Sequence, residues 1–310
     1  MTDVPTISAI VCTRNRGASS VDTVRSILAN DHTSFELIVV DQSTTSETKE
    51  ALQQFQTDPR FRYLPTPTKG LGRARNIGMS HAKAPIIAFT DDDCSVPRDW
   101  LRLMESNIVR DPQVTVLFCN VLEGEHDASA GFIPAYKRSD RVIVKSFWGK
   151  CRARGIGAGL GVRRDPILAI GGFDEALGAG GIFPSAEDAD IAVRAIAHGQ
   201  WVCETNEVSV THYGFRTWKE ARALASRDWE GLGATYIKPL KAGRVDALVV
   251  LLYELIFPCF LEPLSPLLQL RRPRGMARMA HFIKGCVRGL IHPINRDQIA
   301  YEPFVNSTPV

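Results

Sequence analysis

Short apolar runs alternate with helix-spaced apolar residues through the first part of the chain. Residues 7–12 and 86–89 are apolar runs of buried-strand length, and Phe35-Glu-Leu-Ile-Val-Val-Asp41 is a β-branched strand ending in an aspartate. Between them, Val21, Val24, Ile27 and Leu28 share one face of a helix expected over residues 21–30. Gly70 and Gly72 open a second helix running to about Ala82, and Arg62-Tyr-Leu64 suggests another brief strand. This alternation predicts an α/β fold with a mostly parallel sheet covered by helices on both faces. Farther on, the glycine-rich residues 155–161 lead into a helical turn and then Gly171-Gly-Phe-Asp-Glu175. Gly178, Gly180 and Gly181 mark a loop, and a helix is expected over residues 187–198, stopped by Gly199. The composition changes near residue 243, which divides an α/β domain, 1–243, from a helical extension, 244–310.

In an open parallel sheet ligands gather at the carboxyl ends of strands. Three polar clusters fall at such ends: Thr13–Arg16, Asp41–Ser43 and Asp91–Asp93. Three adjacent carboxylates repel one another, so Asp91, Asp92 and Asp93 call for a cation or a basic partner. Alternation along an extended segment pairs Asp91 with Asp93, and hard oxygen ligands suit Mg2+ or Mn2+, with a diphosphate completing the shell. The plainer alternative is a solvated loop with Asp93 as a helix cap. Asp41 is placed to accept hydrogen bonds from a nucleoside, or else to close an Asx-turn with Ser43. Arg73 and Arg75 diverge on a helix, and Arg75 is the one expected to face the donor.

Ser185-Ala-Glu-Asp188 has the form of a helix N-terminus, where amides and the dipole hold an acid ionised and ready to accept a proton. Asp188 could equally be a cap alone. His212 is a candidate third metal ligand or diphosphate contact, or an ordinary core histidine. Trp148, Trp218 and Trp229 are candidate sugar-stacking platforms, or packing residues.

Composition narrows the classes further. A formal net charge of +3 over 310 residues does not suggest a nucleic-acid partner. Seven dispersed cysteines, with no CxxC pair, argue for a reducing compartment and against a zinc ribbon. The N-terminal sequence has no apolar run long enough for a signal peptide, so a cytoplasmic site is expected.

Val11-Cys-Thr-Arg-Asn15, Val39-Val-Asp41, Gly72-Arg-Ala-Arg-Asn76, Phe89-Thr-Asp-Asp-Asp93, Gly171-Gly-Phe-Asp-Glu175 and Glu187-Asp188 resemble, in order, the motifs of family 2 glycosyltransferases. The resemblance covers about residues 7–214. It implies a GT-A nucleotide-diphospho-sugar transferase fold and an inverting transfer to a glycan or lipid-linked acceptor, with a UDP-sugar the favoured donor. Thr13, Asp41 and Arg75, with Asp91 and Asp92, look like donor contacts. Asp91, Asp93 and His212 look like the metal set, Glu187 and Asp174 like acceptor-side residues, and Asp188 like the catalytic base. The other classes considered are a nucleotidyltransferase, which would want a more glycine-rich first loop than Thr13-Arg-Asn-Arg-Gly17, and a non-catalytic nucleotide-sugar-binding protein.

Residues 245–270 are rich in Leu, Val, Ile and Phe but carry Asp246, Glu254, Glu262, Pro258, Pro263 and Pro266. Their uninterrupted apolar pieces fall short of the about 20 residues that span a bilayer, so amphipathic helices lying along an interface are expected. Between Glu262 and Asp297 there is no acidic residue, while Arg271, Arg272, Arg274, Arg278, Lys284, Arg288 and Arg296 all stand there. That pattern suits an anionic membrane surface at the inner face. The same stretch also suits a cover for the catalytic core or a homodimer interface.

Overall fold

The computed structural model describes residues 4–273 and 275–302. The strands are β1 (Ile7–Thr13), β2 (Phe35–Asp41), β3 (Phe61–Pro65), β4 (Ile86–Asp91), β5 (Cys94–Ser95), β6 (Val114–Glu123), β7 (Gly131–Phe132), β8 (Val142–Val144), β9 (Leu160–Arg163), β10 (Trp201–His212), β11 (Arg216–Thr217), β12 (Ile294–Asn295) and β13 (Ala300–Tyr301). Nine of them form one sheet in the order β3-β2-β1-β4-β9-β6-β10-β5, with β8 also paired to β10.

The first half of that sheet is parallel throughout, as the alternation of strand and helix predicts. The second half differs. β9 inserts antiparallel between β4 and β6, and β5 and β8 run antiparallel to β10. The sheet is therefore mixed. Alternate residues of the inner strands supply two cores: Ile10, Ile38 and Phe89 on one face, Val11, Val39 and Ala88 on the other. Burial on both faces is why these strands read as continuous apolar runs.

Helices Val21–Leu28, Leu71–His81 and Glu187–Ala197 lie close to their expected positions. The helix Trp218–Lys241, of 24 residues, begins with a full capping box between Thr217 and Glu220. Helix Ala277–Ile291 lies directly on it. A Cβ at Gly233 would stand 2.1 Å from the Phe282 carbonyl oxygen, and one at Gly285 2.0 Å from that of Glu230. Only glycine permits that approach. Phe282, Val250 and Cys259 join the same core as the sheet, so the described part of 244–302 is packed into the catalytic domain. Gly243, at φ +97°, makes the turn at the composition boundary.

The interrupted apolar stretch is a continuous helical rod, Val245–Gln269, of 25 residues, with a mean hydropathy of 1.9 over its most apolar 18 residues. By length and composition it is enough to cross a membrane, contrary to the short pieces expected. Its prolines are absorbed where the rod widens over Phe257–Leu261 and tightens over Ser265–Gln269, which relieves the ring clash. Arg274 lies outside the described residues.

Asp174, expected on the acceptor side, is found instead in a buried ionic cluster. Its carboxylate accepts from Lys238 Nζ and from the Tyr301 backbone N–H at 2.8 Å. Lys238 Nζ also lies 2.6 Å from Asp190 Oδ1, and all three side chains are almost fully buried. Burial raises the Asp174 pKa, but the Lys238 charge outweighs it and holds the carboxyl below its usual range. The reason for the misplacement is this cation on helix Trp218–Lys241, which captures the acid into the core. Lys238→Met would leave two buried carboxylates without their cation, at a cost of about 3–5 kcal/mol. Thermal denaturation should show a melting temperature lower by on the order of 10 °C.

Candidate active site

β1, β2 and β4 end side by side. Thr13 is in register with Asp41, and Cys12 with Asp91. The three polar clusters therefore meet at one sheet edge, beside a cleft of about 600 Å³. Thr13, Arg75, Asp91, Asp92, Asp93, Glu187, Asp188 and His212 all line it. Asp41 does not. Its Oδ1 accepts from the Ser43 backbone N–H at 2.7 Å, which is the Asx-turn, and its Oδ2 from the Tyr63 hydroxyl at 2.5 Å.

β5 explains how His212 reaches the acids. Directly after Asp93 the chain turns into Cys94–Ser95, which pairs with the end of β10 so that Cys94 opposes His212. His212 Nε2 then lies 3.1 Å from Asp93 Oδ1. The Pro134 carbonyl accepts from His212 Nδ1–H at 2.9 Å, which fixes the ring and turns Nε2 toward Asp93. Burial acts to lower the His212 pKa, but the hydrogen bond and charge of Asp93 raise it overall. Burial acts to raise that of Asp93, and His212 and Arg16 bring it below the usual range.

The aspartate triplet does have basic partners. Arg16 bridges Asp92 at 3.2 Å and Asp93 at 3.1 Å. Arg75, buried against the Phe89 and Phe173 rings, reaches Asp91 at 3.7 Å and Glu187 at 3.1 Å. Burial pushes Asp92 up to about 6 despite Arg16. It also raises Asp91, with Arg75 opposing and Asp93 adding to the rise. Arg73 points away, to Glu175 on the surface at 2.6 Å, as its spacing from Arg75 requires.

Opposite the triplet, helix Glu187–Ala197 opens with its two acids at the amide end. The entrance differs from the expected serine cap. Ser185 donates to Asp228 at 2.6 Å instead, and Ala186 takes a left-handed conformation at φ 71°, rare for a non-glycine residue. That turn swings Asp188 onto the Gly157 backbone N–H at 2.8 Å, while the Ala189 N–H donates to its other oxygen at 2.7 Å. Glu187 is buried, which raises its pKa to about 7; Arg75 opposes the rise and Asp188 adds to it.

The donor chemistry fits a divalent ion at Asp93 and His212. A Cβ at Gly214 would stand 2.4 Å from His212 Nε2 and 2.9 Å from Asp93 Oδ2, so glycine keeps open the space beside both donor atoms. Among the described residues the compact group of potential ligands is Asp93, Cys94 and His212, within 4.8 Å of one another. Burial raises the Cys94 thiol far above its ordinary range. A protonated thiol is a poor ligand for a hard ion, which leaves the carboxylate and the imidazole. Asp91 stands toward Arg75 rather than within that group.

Arg16, Arg216 and Asp228 are among the cleft residues that carried no assigned role from sequence. Arg16 stood inside the first polar cluster, next to Thr13, and could have been inferred from the need to balance three acids. Asp228 lies mid-helix, with no local signal. Of the tryptophans, Trp218 stacks on Phe132 at 5.5 Å, whereas Trp148 is exposed outside the cleft wall and Trp229 lines a second groove.

Residues 8–151 match the model of the family described as Glycosyl transferase family 2. The likeness to that family thus spans a little under half of the chain. Its fold is GT-A: a mannosyltransferase from Pyrobaculum calidifontis, in complex with GDP-Man and Mn2+, superposes with a TM-score of 0.62 at 19% identity, over 94% of this chain and 88% of that one. The glucosyl-dolichyl phosphate glucuronosyltransferase of Haloferax volcanii is 23% identical over 243 residues, covering 73% of this chain and 75% of the relative. An uncharacterized glycosyltransferase of Rickettsia felis is 30% identical over 105 residues, 33% of this chain. The match spans 17% of that relative's length, and less than a fifth of the other first-ranked relatives.

Proposed function

We propose that the chain transfers a sugar from a nucleotide-diphosphate donor to an acceptor hydroxyl, with inversion at the anomeric carbon. The observation that carries this reading is the cleft itself. Carboxylates and an imidazole suited to a metal–diphosphate group line one wall, and a carboxylate held by two amides stands on the other. Asp188 takes the proton of the acceptor hydroxyl as its oxygen bonds to the anomeric carbon. The bond from that carbon to the diphosphate oxygen breaks, and its electron pair leaves with the nucleoside diphosphate.

Asp93 and His212, with Asp91 on the Arg75 side, are the residues that would hold Mg2+ or Mn2+. The ion would offset charge building on the leaving diphosphate. Thr13, Arg75, Asp91 and Asp92 face the donor, while Asp41 supports that wall from behind through Ser43 and Tyr63. Glu187 holds Arg75 in place next to the base. A UDP-sugar is the favoured donor by resemblance; the Pyrobaculum neighbour, which holds GDP-Man, makes GDP-sugars the second class to try. Residues 1–243 form the catalytic unit in this reading. The 244–310 extension lies against an anionic membrane surface at the cytoplasmic face, with a second copy of the chain as the competing occupant. The glycan or lipid-linked acceptor is taken up on the Asp188 side.

Isothermal titration with UDP-sugars and GDP-sugars, with and without Mn2+, tests the donor assignment. One nucleotide class should bind, and bind more weakly once the ion is chelated. Failure of every nucleotide sugar to bind in Mn2+ would remove the reading.

A further inference from the structure

A second groove, of about 720 Å³, borders helix Trp218–Lys241. Ala225, Trp229, Tyr253, Phe257, Pro258 and Leu261 give it an apolar, largely aromatic wall. Arg154 and Arg278 stand in it as well. Asp228 lines both this groove and the catalytic cleft. Elsewhere their walls are built from sequence neighbours. Leu224 faces the cleft where Ala225 faces the groove, and Ile156 and Gly157 face the cleft where Arg154 faces the groove. Asp228 is thus the residue where the two spaces meet, and its partner Ser185 lies just before the Asp188 turn.

The outer end of the groove opens onto the rod Val245–Gln269. Phe257 and Leu261 belong both to the groove wall and to the rod's exposed apolar side, along with Phe260, Leu267 and Leu268. Leu270, 99% exposed, follows, and the exposed Arg271 and Arg272 come next. An apolar face bordered by arginines matches the boundary between acyl chains and anionic headgroups.

The two arginines differ in availability. Arg154 is tied bidentately to Glu254, which is 1% exposed, so that pair is fixed. Arg278 pairs with Glu262 at 2.9 Å, but the Glu262 side chain is 62% exposed and can yield its place to a stronger anion. Arg278 also sits 5.6 Å over the Trp229 ring, which aims its charge along the groove.

We infer that the groove binds the acceptor as a phosphate-bearing lipid. The apolar chain lies along the aromatic wall, the phosphate meets Arg278, and the hydroxyl-bearing end passes Asp228 to reach Asp188. The rod delivers such a lipid from a bilayer without exposing its chain to water. The assignment rests on the transfer reaction proposed above and names the acceptor class for it.

Farnesyl phosphate serves as the test probe, followed by fluorescence of the full chain, since Trp229 lies in the groove wall. It should bind at least about tenfold more tightly than farnesol, a difference of roughly 1.4 kcal/mol, and inorganic phosphate should not compete. Ala225→Trp, which fills the groove, and Leu261→Asp, which charges its mouth, should each weaken binding by a similar factor. Arg278→Ala should abolish the preference for the phosphate. Titration of UDP and GDP with Mn2+ on the same variants separates the two readings. Intact nucleotide binding with no farnesyl phosphate binding overturns the groove alone, and lipid binding without nucleotide binding overturns the transferase reading. Equal affinity for farnesol and farnesyl phosphate, or indifference to Ala225→Trp and Leu261→Asp, would reject the lipid-phosphate site. A stable dimer that binds neither probe assigns the face to a second copy of the chain.

Discussion

Asp188→Asn is expected to lower turnover by about 10²–10⁴-fold, the range typical of losing a positioned general base. The substitution keeps the side-chain shape and an acceptor oxygen for one of the Gly157 and Ala189 amides, so the turn at Ala186 should hold. It replaces the basic carboxylate that would take the acceptor proton with a neutral, non-basic amide. Donor and Mn2+ affinities should be unchanged, because the donor-binding side chains stand on the ends of β1 and β4 and on helix Leu71–His81. Single-turnover kinetics beside calorimetry would separate the effects. A variant with near-normal turnover would exclude Asp188 as the base.

Asp93→Asn should have an effect of comparable size by a different route, with turnover down roughly 10³-fold as several kcal/mol of charge stabilisation are lost. Here Mn2+ and donor affinity should fall together. The fold should survive, since Arg16 keeps its contact with Asp92 and the β5–β10 pairing is made by backbone. Manganese binding followed by paramagnetic resonance provides a readout independent of activity. Unaltered Mn2+ affinity in the variant would remove Asp93 from the metal set.

Much of this arrangement could be read from local patterns, because local patterns create it. Strand ends with polar residues, at Thr13, Asp41 and Asp91, meet wherever strands run parallel in register, and here they do. The position of helix Glu187–Ala197 followed from the Ser185-Ala-Glu-Asp188 start and from Gly199. Features set by partners distant in sequence were harder to see. β9 reads as a short glycine-containing run, and only its insertion between β4 and β6 makes it a strand. Asp174 sits in a motif that resembles an acceptor site, yet Lys238, 64 residues later, draws it into the core. Ser185 looks like a cap until Asp228, on another helix, takes its hydroxyl. The prolines of the rod suggested breaks, whereas the helix widens around them and continues. In each case the deciding contact joins segments far apart in the chain.

The most direct test of sugar transfer is the identity of what the donor leaves behind. The chain, with Mn2+, would be incubated with sugar-labelled UDP- and GDP-sugars and a membrane lipid extract as the acceptor source, and the nucleotide products separated by chromatography. The account predicts nucleoside diphosphate, released in step with label appearing in the acceptor fraction, and neither product with Asp188→Asn. Release of nucleoside monophosphate or pyrophosphate, or full product formation by Asp188→Asn, would contradict it.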